Sequence, residues 1–143
     1  MALCTCDRPE YLRYLLETFC TVLDEPRPKI CIADNGQKPL AHVVEAFRDR
    51  LTIHYSVFPE PSLSPVRNQV MKSAINLNTK YIACIDDDEW PSPQWLPKLL
   101  RAARDTNAEF VSGPVLADRK NGLPKWLEKG GLLDTDAGDF GGW

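Results

Sequence analysis

The chain alternates short apolar runs with amphipathic helical patterns, and no other feature restricts its fold more strongly. The apolar runs, typical of buried strands, cover residues 2–6, 29–33, 51–57, 81–85 and 109–116. Between them, apolar residues recur at the spacing i, i+3, i+4 and i+7, which gives a helix one buried face. Strands separated by helices pair in parallel, so the pattern predicts an α/β fold with a mostly parallel central sheet flanked by helices.

The helices between the predicted strands start at residues that favour a first turn. Asp7 is placed to cap the first helix, with Pro9 in its first turn, and Pro93 starts the fourth helix. Ser64 is placed to cap the third helix, with Pro65 at its first position. The predicted core faces are Leu12, Leu15, Leu16 and Phe19 on the first helix, Leu40, Val43, Val44 and Phe47 on the second (39–48), and Val66, Val70, Ala74 and Leu77 on the third (64–76).

Composition excludes several classes of function. The 143 residues carry a net charge of −3, so the chain lacks the overall basic field with which proteins hold nucleic acid. No apolar run approaches the 18 residues of a membrane-spanning helix, and the N-terminus has no signal-peptide pattern. The 5 cysteines, an odd number without C-x-x-C spacing, indicate reduced thiols buried as small hydrophobic side chains. We therefore expect a cytoplasmic protein with no nucleic-acid partner.

The alternation of strands and helices ends near residue 116. The following residues, 117–143, contain several glycines and aspartates and have no strong period, so we expect them to be irregular and mobile. The length of the chain suits one domain. Residues 1–116 are therefore predicted to form that domain, and residues 117–143 a C-terminal segment.

Acidic residues follow two of the predicted strands. Residues 34–36 (Asp-Asn-Gly) follow the second strand, and residues 86–89 (Asp-Asp-Asp-Glu) follow the fourth. In an open parallel sheet, ligands bind beyond the carboxyl ends of the strands. We therefore expect both segments at the same crevice.

Four consecutive acidic side chains need a compensating charge. Each close pair repels by about 1 kcal/mol even in water. A divalent cation would supply that charge, and carboxylate oxygens suit Mg²⁺ or Mn²⁺, while neither His42 nor His54 lies near enough in sequence to favour zinc. The alternative is a solvated acidic turn that caps the helix starting at Pro93.

Five short motifs follow one another along the chain. They are Thr5-x-x-Arg8-Pro9-Glu10, Ala33-Asp34-Asn35-Gly36, Val66-Arg67-Asn68, Ile85-Asp86-Asp87-Asp88-Glu89 with Pro93-x-Trp95-Leu96, and Gly113-Pro114-Val115. In order and spacing, over nearly the whole chain, they resemble the motifs of family 2 glycosyltransferases. Within that family they are most similar to those of bacterial exopolysaccharide glucosyltransferases of the succinoglycan-biosynthesis type.

This resemblance implies a GT-A fold, which is Rossmann-like, with residues 1–116 as its nucleotide-sugar-binding domain. It implies transfer of a sugar, with inversion at the anomeric carbon, from a nucleotide-diphospho-sugar that is usually UDP-linked. The acceptor would be a saccharide or a lipid-linked saccharide in polysaccharide biosynthesis, and the cofactor Mn²⁺ or Mg²⁺. The protein would then work in the cytoplasm, at the inner face of the membrane if the acceptor is lipid-linked.

The resemblance also assigns roles to residues. Thr5 and Arg8 would line the nucleotide pocket, Asp34 would accept a hydrogen bond from the base, and Arg67 would lie against the base or a phosphate.

The acidic segment carries the D-x-D motif of the family. Asp86 and Asp88 would be its two acidic positions, with Asp88 in direct contact with the metal and Asp86 at the ribose or at the metal through a bridging water. Asp87 is the variable middle position and is grouped with the nucleotide-binding residues.

The chain departs from the family pattern after Glu89. An inverting enzyme needs a general base, commonly within a Glu-Asp pair, and no such pair follows Glu89. Asp134, Asp136 and Asp139 are acidic but lie outside any matching motif, so the catalytic base stays unassigned. We expect a donor-binding half whose C-terminal part is missing.

Other interpretations stay open at this point. A catalytically incomplete nucleotide-binding fragment would keep the fold without the base. A sugar nucleotidyltransferase would need a Gly-rich basic loop after the first strand, which residues 6–9 do not provide. Trp90 and Trp95 could stack on sugar faces, although Trp95, within an apolar helix, is the better candidate for the core.

Overall fold

The computed structural model of the protein describes residues 1–24, 27–59, 62–116 and 125. The chain divides into two compact units, Met1–Arg101 and Ala102–Trp143, while the domain boundary expected at residue 116 stays a prediction. In chain order the elements are β1 (Ala2–Thr5), α1 (Pro9–Val22), β2 (Ile30–Asp34), α2 (Ala41–Glu45), β3 (Ile53–Val57), α3 (Leu63–Asn76) and α4 (Trp95–Thr106).

The strands β1, β2 and β3 form a parallel sheet in that order. Ala2 of β1 lies opposite Cys31 of β2, and Ile30 of β2 lies opposite Ile53 of β3. A helix connects each strand to the next, as parallel pairing requires. The predicted α/β fold with a parallel sheet and flanking helices is confirmed.

Residues 81–85, predicted as a fourth strand, lie along the free side of β1 but make only one isolated bridge. The Ala2 N–H donates to the Ala83 carbonyl at 2.9 Å, and the Ile85 N–H donates to the Ala2 carbonyl at 3.3 Å. The prediction of a regular strand is therefore wrong for this structure. It assumed burial on both faces, whereas Cys84 is exposed and, within the described residues, no strand pairs with the outer edge of the segment.

The fifth predicted strand, residues 109–116, is not formed. These residues have no regular secondary structure, and Phe110, Val115 and Leu116 are exposed. An apolar, β-branched composition favours a strand only where a neighbouring strand completes its hydrogen bonds. In the described part of the chain no strand pairs with this segment.

The alternation of side chains along β1 and β2 divides the core into two layers, because successive residues of a strand point to opposite faces of the sheet. The layer beside α1 and α2 contains Leu3, Ile30 and Ile32, and the layer beside α3 contains Ala2, Cys31 and Ala33. Each layer is filled by the apolar face of its helices. Helices thus cover both faces of the sheet and leave the carboxyl ends of its strands for a site.

The predicted core faces of the helices are largely confirmed. On α1, Leu12, Leu15, Leu16 and Phe19 are fully buried, and on α3, Val66, Val70 and Ala74 are buried. Leu77, the last predicted core residue of α3, is the C-cap and is half-buried. Trp95 packs against the core from α4, as expected.

Several helix starts differ from the prediction by one or two residues. Arg8, not Asp7, is the N-cap of α1, and Asp7 has a positive φ of 52°. The N-cap of α3 is Ser62, so Ser64 and Pro65 lie within its first turn, where a missing N–H costs little because those groups have no partner inside the helix. α4 starts at Trp95. No helix in the described part of the chain is long and apolar enough to cross a membrane.

The second predicted helix is shorter than residues 39–48, because α2 ends at Glu45 and turns follow it. The five cysteines are unpaired, but only Cys31 is buried, while Cys6 and Cys84 are exposed. The expectation that all of them are buried is therefore wrong. Cys6 follows β1 and Cys84 lies on the edge segment, so neither is enclosed by the two core layers.

Candidate functional site

The carboxyl end of β1 is joined to the acidic segment by one buried hydrogen bond. The Thr5 hydroxyl donates to the Asp87 carboxylate at 2.7 Å. Both residues are buried, at 2% and 5% exposure. Burial also raises the pKa of Asp87, because the charged form loses solvation there, although the bond from Thr5 and the charge of Arg8 act against this effect.

Arg8 connects the start of α1 to two of the three aspartates. Its Nη1 atom lies 3.1 Å from Asp87 Oδ1 and 3.1 Å from Asp88 Oδ2. The guanidinium is half exposed, and the charge of Asp87 raises its pKa. The guanidinium of Arg8 therefore binds both the buried carboxylate of Asp87 and the exposed carboxylate of Asp88.

Arg67 holds the remaining aspartate from the other side of the sheet. Its Nη2 atom on α3 lies 3.0 Å from one oxygen of Asp86 and 3.3 Å from the other. The Glu89 carboxylate accepts the Asp86 N–H at 3.1 Å, which closes the acidic segment into a turn. Each aspartate of the segment thus has an arginine partner.

The turn after β2 also meets this site. The Asn35 N–H donates to the Thr5 carbonyl at 3.0 Å, so Thr5 contacts both acidic segments. A Cβ on Gly36 would lie 2.7 Å from the Asp7 backbone nitrogen, so only glycine allows the turn to approach the β1–α1 loop this closely. As the sequence predicts, residues 34–36 and residues 86–89 lie at the same end of the sheet.

Asp34, by contrast, points into the protein. It is fully buried, and its carboxylate accepts hydrogen bonds from the Gly36 and Leu40 N–H groups and from the Tyr55 hydroxyl. Burial is the main reason why the pKa of Tyr55 is raised, with the bond to Asp34 adding to it. In this structure Asp34 holds the turn after β2 in place, and its bond to a nucleotide base stays a prediction.

The acidic segment offers the donor chemistry of a magnesium or manganese site but not a complete one. In the described ranges, no three side chains of His, Cys, Asp or Glu gather closely enough to hold a metal ion. The exposed carboxylates are Asp86 and Asp88, and hard oxygens of this kind suit Mg²⁺ and Mn²⁺. Mg²⁺ commonly takes one or two protein carboxylates together with phosphate oxygens of its substrate. The residues therefore fit a cation that arrives with a phosphate ligand.

Two features of the site differ from what the sequence predicts. Asp87, taken as the variable middle position, is the most buried of the three aspartates. Tyr11 and Tyr14 were not predicted at all, yet they lie against Trp90 beside the site. Their spacing of three residues, outside the apolar stripe of α1, is the signal that could have found them. The candidate acids Asp134, Asp136 and Asp139 lie outside the described residues.

Comparison with known proteins assigns the fold and the family. The solved structure of S. aureus TarS 1–349 in complex with UDP superposes with a TM-score of 0.62 at 15% identity, covering 79% of this chain and 37% of that one. A second structure of TarS 1–349 gives a TM-score of 0.58 at 14% identity. At this identity the likeness establishes the fold, which is GT-A.

Two curated relatives match at higher identity. The succinoglycan biosynthesis protein ExoM of Rhizobium meliloti (strain 1021) is 33% identical over 139 residues, which are 94% of this chain and 44% of ExoM. An uncharacterized protein of Methanocaldococcus jannaschii is 33% identical over 96 residues, 64% of this chain and 42% of its own length. The chain thus spans less than half the length of these relatives. The model of the family "Glycosyl transferase family 2" matches residues 2–139, so the chain belongs to glycosyl transferase family 2.

Proposed function

We propose that this chain binds the donor substrate in an inverting glycosyl transfer. The donor is a nucleotide-diphospho-sugar, UDP-linked, and the acceptor is a saccharide or lipid-linked saccharide of polysaccharide biosynthesis. Family membership, the UDP in the TarS structure and the role of ExoM in succinoglycan biosynthesis support this proposal. The observation that carries it is the joining of Thr5, Arg8 and the acidic segment at the carboxyl end of β1.

The charges of the site suit a diphosphate only when a cation is present. The four acids of the segment, residues 86–89, with Arg8 and Arg67 leave the site a net charge of −2, which repels a nucleoside diphosphate. A divalent cation would neutralise that charge. Metal and nucleotide are therefore expected to bind together, with each lowering the cost of binding the other.

The three aspartates of the segment would have different roles, according to their exposure. Asp88 and Asp86 would hold the cation, since both reach the surface, and Arg8 and Arg67 would turn from them toward the phosphates. Asp87, fixed by Thr5, would keep the guanidinium of Arg8 at the site. When bound, Mn²⁺ or Mg²⁺ supplies positive charge that stabilises the diphosphate leaving group.

The acceptor side of the reaction has no assigned base in this chain. No Glu-Asp pair follows Glu89, which supports a second candidate function, a nucleotide-binding part that needs further chain for catalysis. Family membership argues against the nucleotidyltransferase alternative. We place the reaction in the cytoplasm, at the inner face of the membrane when the acceptor is lipid-linked.

Calorimetric titration of UDP with and without Mn²⁺ tests the proposal. We expect UDP to bind in the presence of Mn²⁺ and at least about tenfold more weakly without it. Asp88→Ala should remove the dependence on Mn²⁺ while circular dichroism stays unchanged, because Asp88 is half exposed and outside the core. Asp105→Ala, an exposed aspartate on α4, is the matched control and should bind as the original chain does. An unchanged metal-dependent affinity in Asp88→Ala would refute the assignment.

Adding a UDP-sugar and an acceptor separates the two candidate functions. Metal-dependent UDP binding without hydrolysis or transfer of the sugar identifies the incomplete nucleotide-binding part. If the original chain releases UDP from the UDP-sugar and Asp88→Ala does not, the chain catalyses the reaction by itself.

A further inference from the structure

Three exposed aromatic side chains form a groove beside the acidic segment. Tyr14 and Trp90 pack edge to face, with ring centroids 5.4 Å apart, and Tyr11 lies 6.3 Å from Trp90. We call this the aromatic groove. Its lining consists of Glu10, Tyr11, Arg13, Tyr14, Glu17 and Trp90, and its volume is about 350 Å³. That volume is at the lower end of the range for ligand sites in proteins.

The aromatic groove is not part of the hydrophobic core. Tyr11, Tyr14 and Trp90 are 46%, 50% and 42% exposed, so each leaves much of its ring to solvent. The core face of α1, made of leucines and Phe19, lies on the other side of the helix. Contiguous exposed apolar patches on soluble proteins are often interaction sites or ligand-binding grooves.

The aromatic groove is continuous with the candidate donor site through one side chain. The guanidinium carbon of Arg8 lies 5.8 Å from the centre of the Tyr11 ring, while its Nη1 atom contacts Asp87 and Asp88. Trp90 follows the acidic segment directly in sequence. A molecule in the aromatic groove would therefore lie next to the proposed diphosphate and cation.

The charges of the lining select the kind of ligand. The lining has two carboxylates, Glu10 and Glu17, and one cation, Arg13, while Arg8 at its edge is paired with two aspartates of the acidic segment. The lining therefore has no excess positive charge with which to hold a phosphate group. Glu10, Glu17 and Arg13 offer hydrogen-bond donors and acceptors to hydroxyl groups. The aromatic rings present electron-rich faces that attract the C–H groups of a sugar ring. Aromatic faces with a polar rim of this kind fit a neutral saccharide.

We propose that the aromatic groove binds the acceptor saccharide, a neutral chain of pyranose rings, next to the donor site. This inference rests on the proposed function. The stretch of α1 from Glu10 to Glu17 is about 10 Å long, which is longer than one sugar ring. A donor carries one sugar bonded to a diphosphate, and the groove is longer than one sugar. Its lining also has excess negative charge, which disfavours a diphosphate. Both features favour the acceptor as the ligand of the aromatic groove.

The test uses the 143-residue chain labelled with 5-fluorotryptophan and cellotetraose as the probe. Trp90→Phe identifies the fluorine resonance of Trp90 among the four tryptophans and keeps an aromatic ring in place. We expect cellotetraose to shift that resonance. Tyr14→Ala should weaken cellotetraose binding by about two- to tenfold, as the loss of one aromatic contact implies, and leave UDP affinity with Mn²⁺ unchanged. Phe110→Ala, which removes an exposed ring outside the aromatic groove, is the control and should bind cellotetraose normally.

The other outcomes contradict the inference in distinguishable ways. A Trp90 resonance that responds to UDP-glucose, but to neither UDP nor cellotetraose, would make the aromatic groove a site for the donor's sugar. Metal-dependent UDP binding with no response to cellotetraose would overturn the acceptor site and leave the proposed function standing. Absence of UDP binding together with a cellotetraose response would overturn the proposed function and leave a saccharide-binding surface.

Discussion

Replacing Asp34 with Asn should destabilise the fold, although the two side chains have the same shape. The carboxylate accepts hydrogen bonds from the Gly36 N–H at 2.9 Å, from the Leu40 N–H at 2.8 Å and from the Tyr55 hydroxyl. All three partners are donors, and a carboxylate can accept from every one of them. An amide instead has one oxygen that accepts and one NH₂ group that can only donate.

The cost follows from the bond that Asn cannot keep. The Leu40 N–H and the Tyr55 hydroxyl bind the same carboxylate oxygen, so an amide oxygen in that position keeps both bonds, and the NH₂ group then faces the Gly36 N–H, where the bond is lost. A hydrogen bond to a charged acceptor contributes about 1.5–3 kcal/mol, so the expected loss is about 1.5–3 kcal/mol. This is a substantial part of the free energy of unfolding of a typical domain, about 5–15 kcal/mol.

Urea denaturation followed by circular dichroism measures this loss. Tyr55→Phe, which removes one of the donors, should cost about 1.5–3 kcal/mol, and it provides the measurement if Asp34→Asn fails to fold. Asp105→Asn, an exposed aspartate, is the matched control and should change stability by less than about 0.5 kcal/mol. A loss below about 1 kcal/mol in Asp34→Asn, together with weaker UDP binding, would refute this reasoning and favour a role for Asp34 at the nucleotide base.

Further predictions concern the neighbourhood of the acidic segment. Gly36→Ala should lower the free energy of unfolding by about 1–3 kcal/mol in urea titrations, because the new Cβ would lie 2.7 Å from the Asp7 backbone nitrogen. Arg8→Gln should cost about 1 kcal/mol or less, since its guanidinium is half exposed, but calorimetry should show weaker UDP binding with Mn²⁺. Burial raises the pKa of Asp87 above its usual 3.8, so the folded chain keeps this proton to higher pH than the unfolded chain. The free energy of unfolding should therefore fall, relative to Asp87→Asn, as the pH rises through the window above 3.8.

Each of these predictions has an outcome that contradicts it. A fully stable Gly36→Ala would mean that the β1–α1 loop shifts at little cost. Unchanged UDP affinity in Arg8→Gln would separate this arginine from the nucleotide. A stability difference between the original chain and Asp87→Asn that is independent of pH would show that Asp87 has the same pKa folded and unfolded.

Local patterns explain why most of the first unit could be predicted from the sequence. The buried face of α1 follows from the spacing of Leu12, Leu15, Leu16 and Phe19, which depends only on the geometry of a helix. The prediction of a strand at residues 81–85 was wrong because strand formation there depends on segments that are distant in the sequence. An apolar run records a tendency to be buried, but a regular strand also needs hydrogen-bonding partners along its edges.

The position of the candidate site could be predicted for a similar reason. Parallel strands bring their carboxyl ends to one edge, so the segments after β2 and after residue 85 were bound to lie together once the sheet was parallel. Exposure within the acidic segment could not be predicted in this way. Asp86, Asp87 and Asp88 are chemically identical in the sequence, and only contacts with other segments distinguish them.

The sequence by itself thus determined the order of the first three strands and their helices, the parallel sheet and the edge at which polar residues collect, because these depend on periodicity and chain connectivity. The tertiary structure alone decided that Asp87 is buried against Thr5, that Asp34 faces the interior, and that Tyr14 meets Trp90. The contacts of Thr5 with Asp87, of Asp34 with Tyr55 and of Tyr14 with Trp90 join residues far apart in the chain, and they depend on how the segments pack and on the direction of individual side chains. Local sequence patterns do not specify such contacts. In a strand, for example, a shift of one residue in the pairing with its neighbour turns each side chain to the opposite face of the sheet.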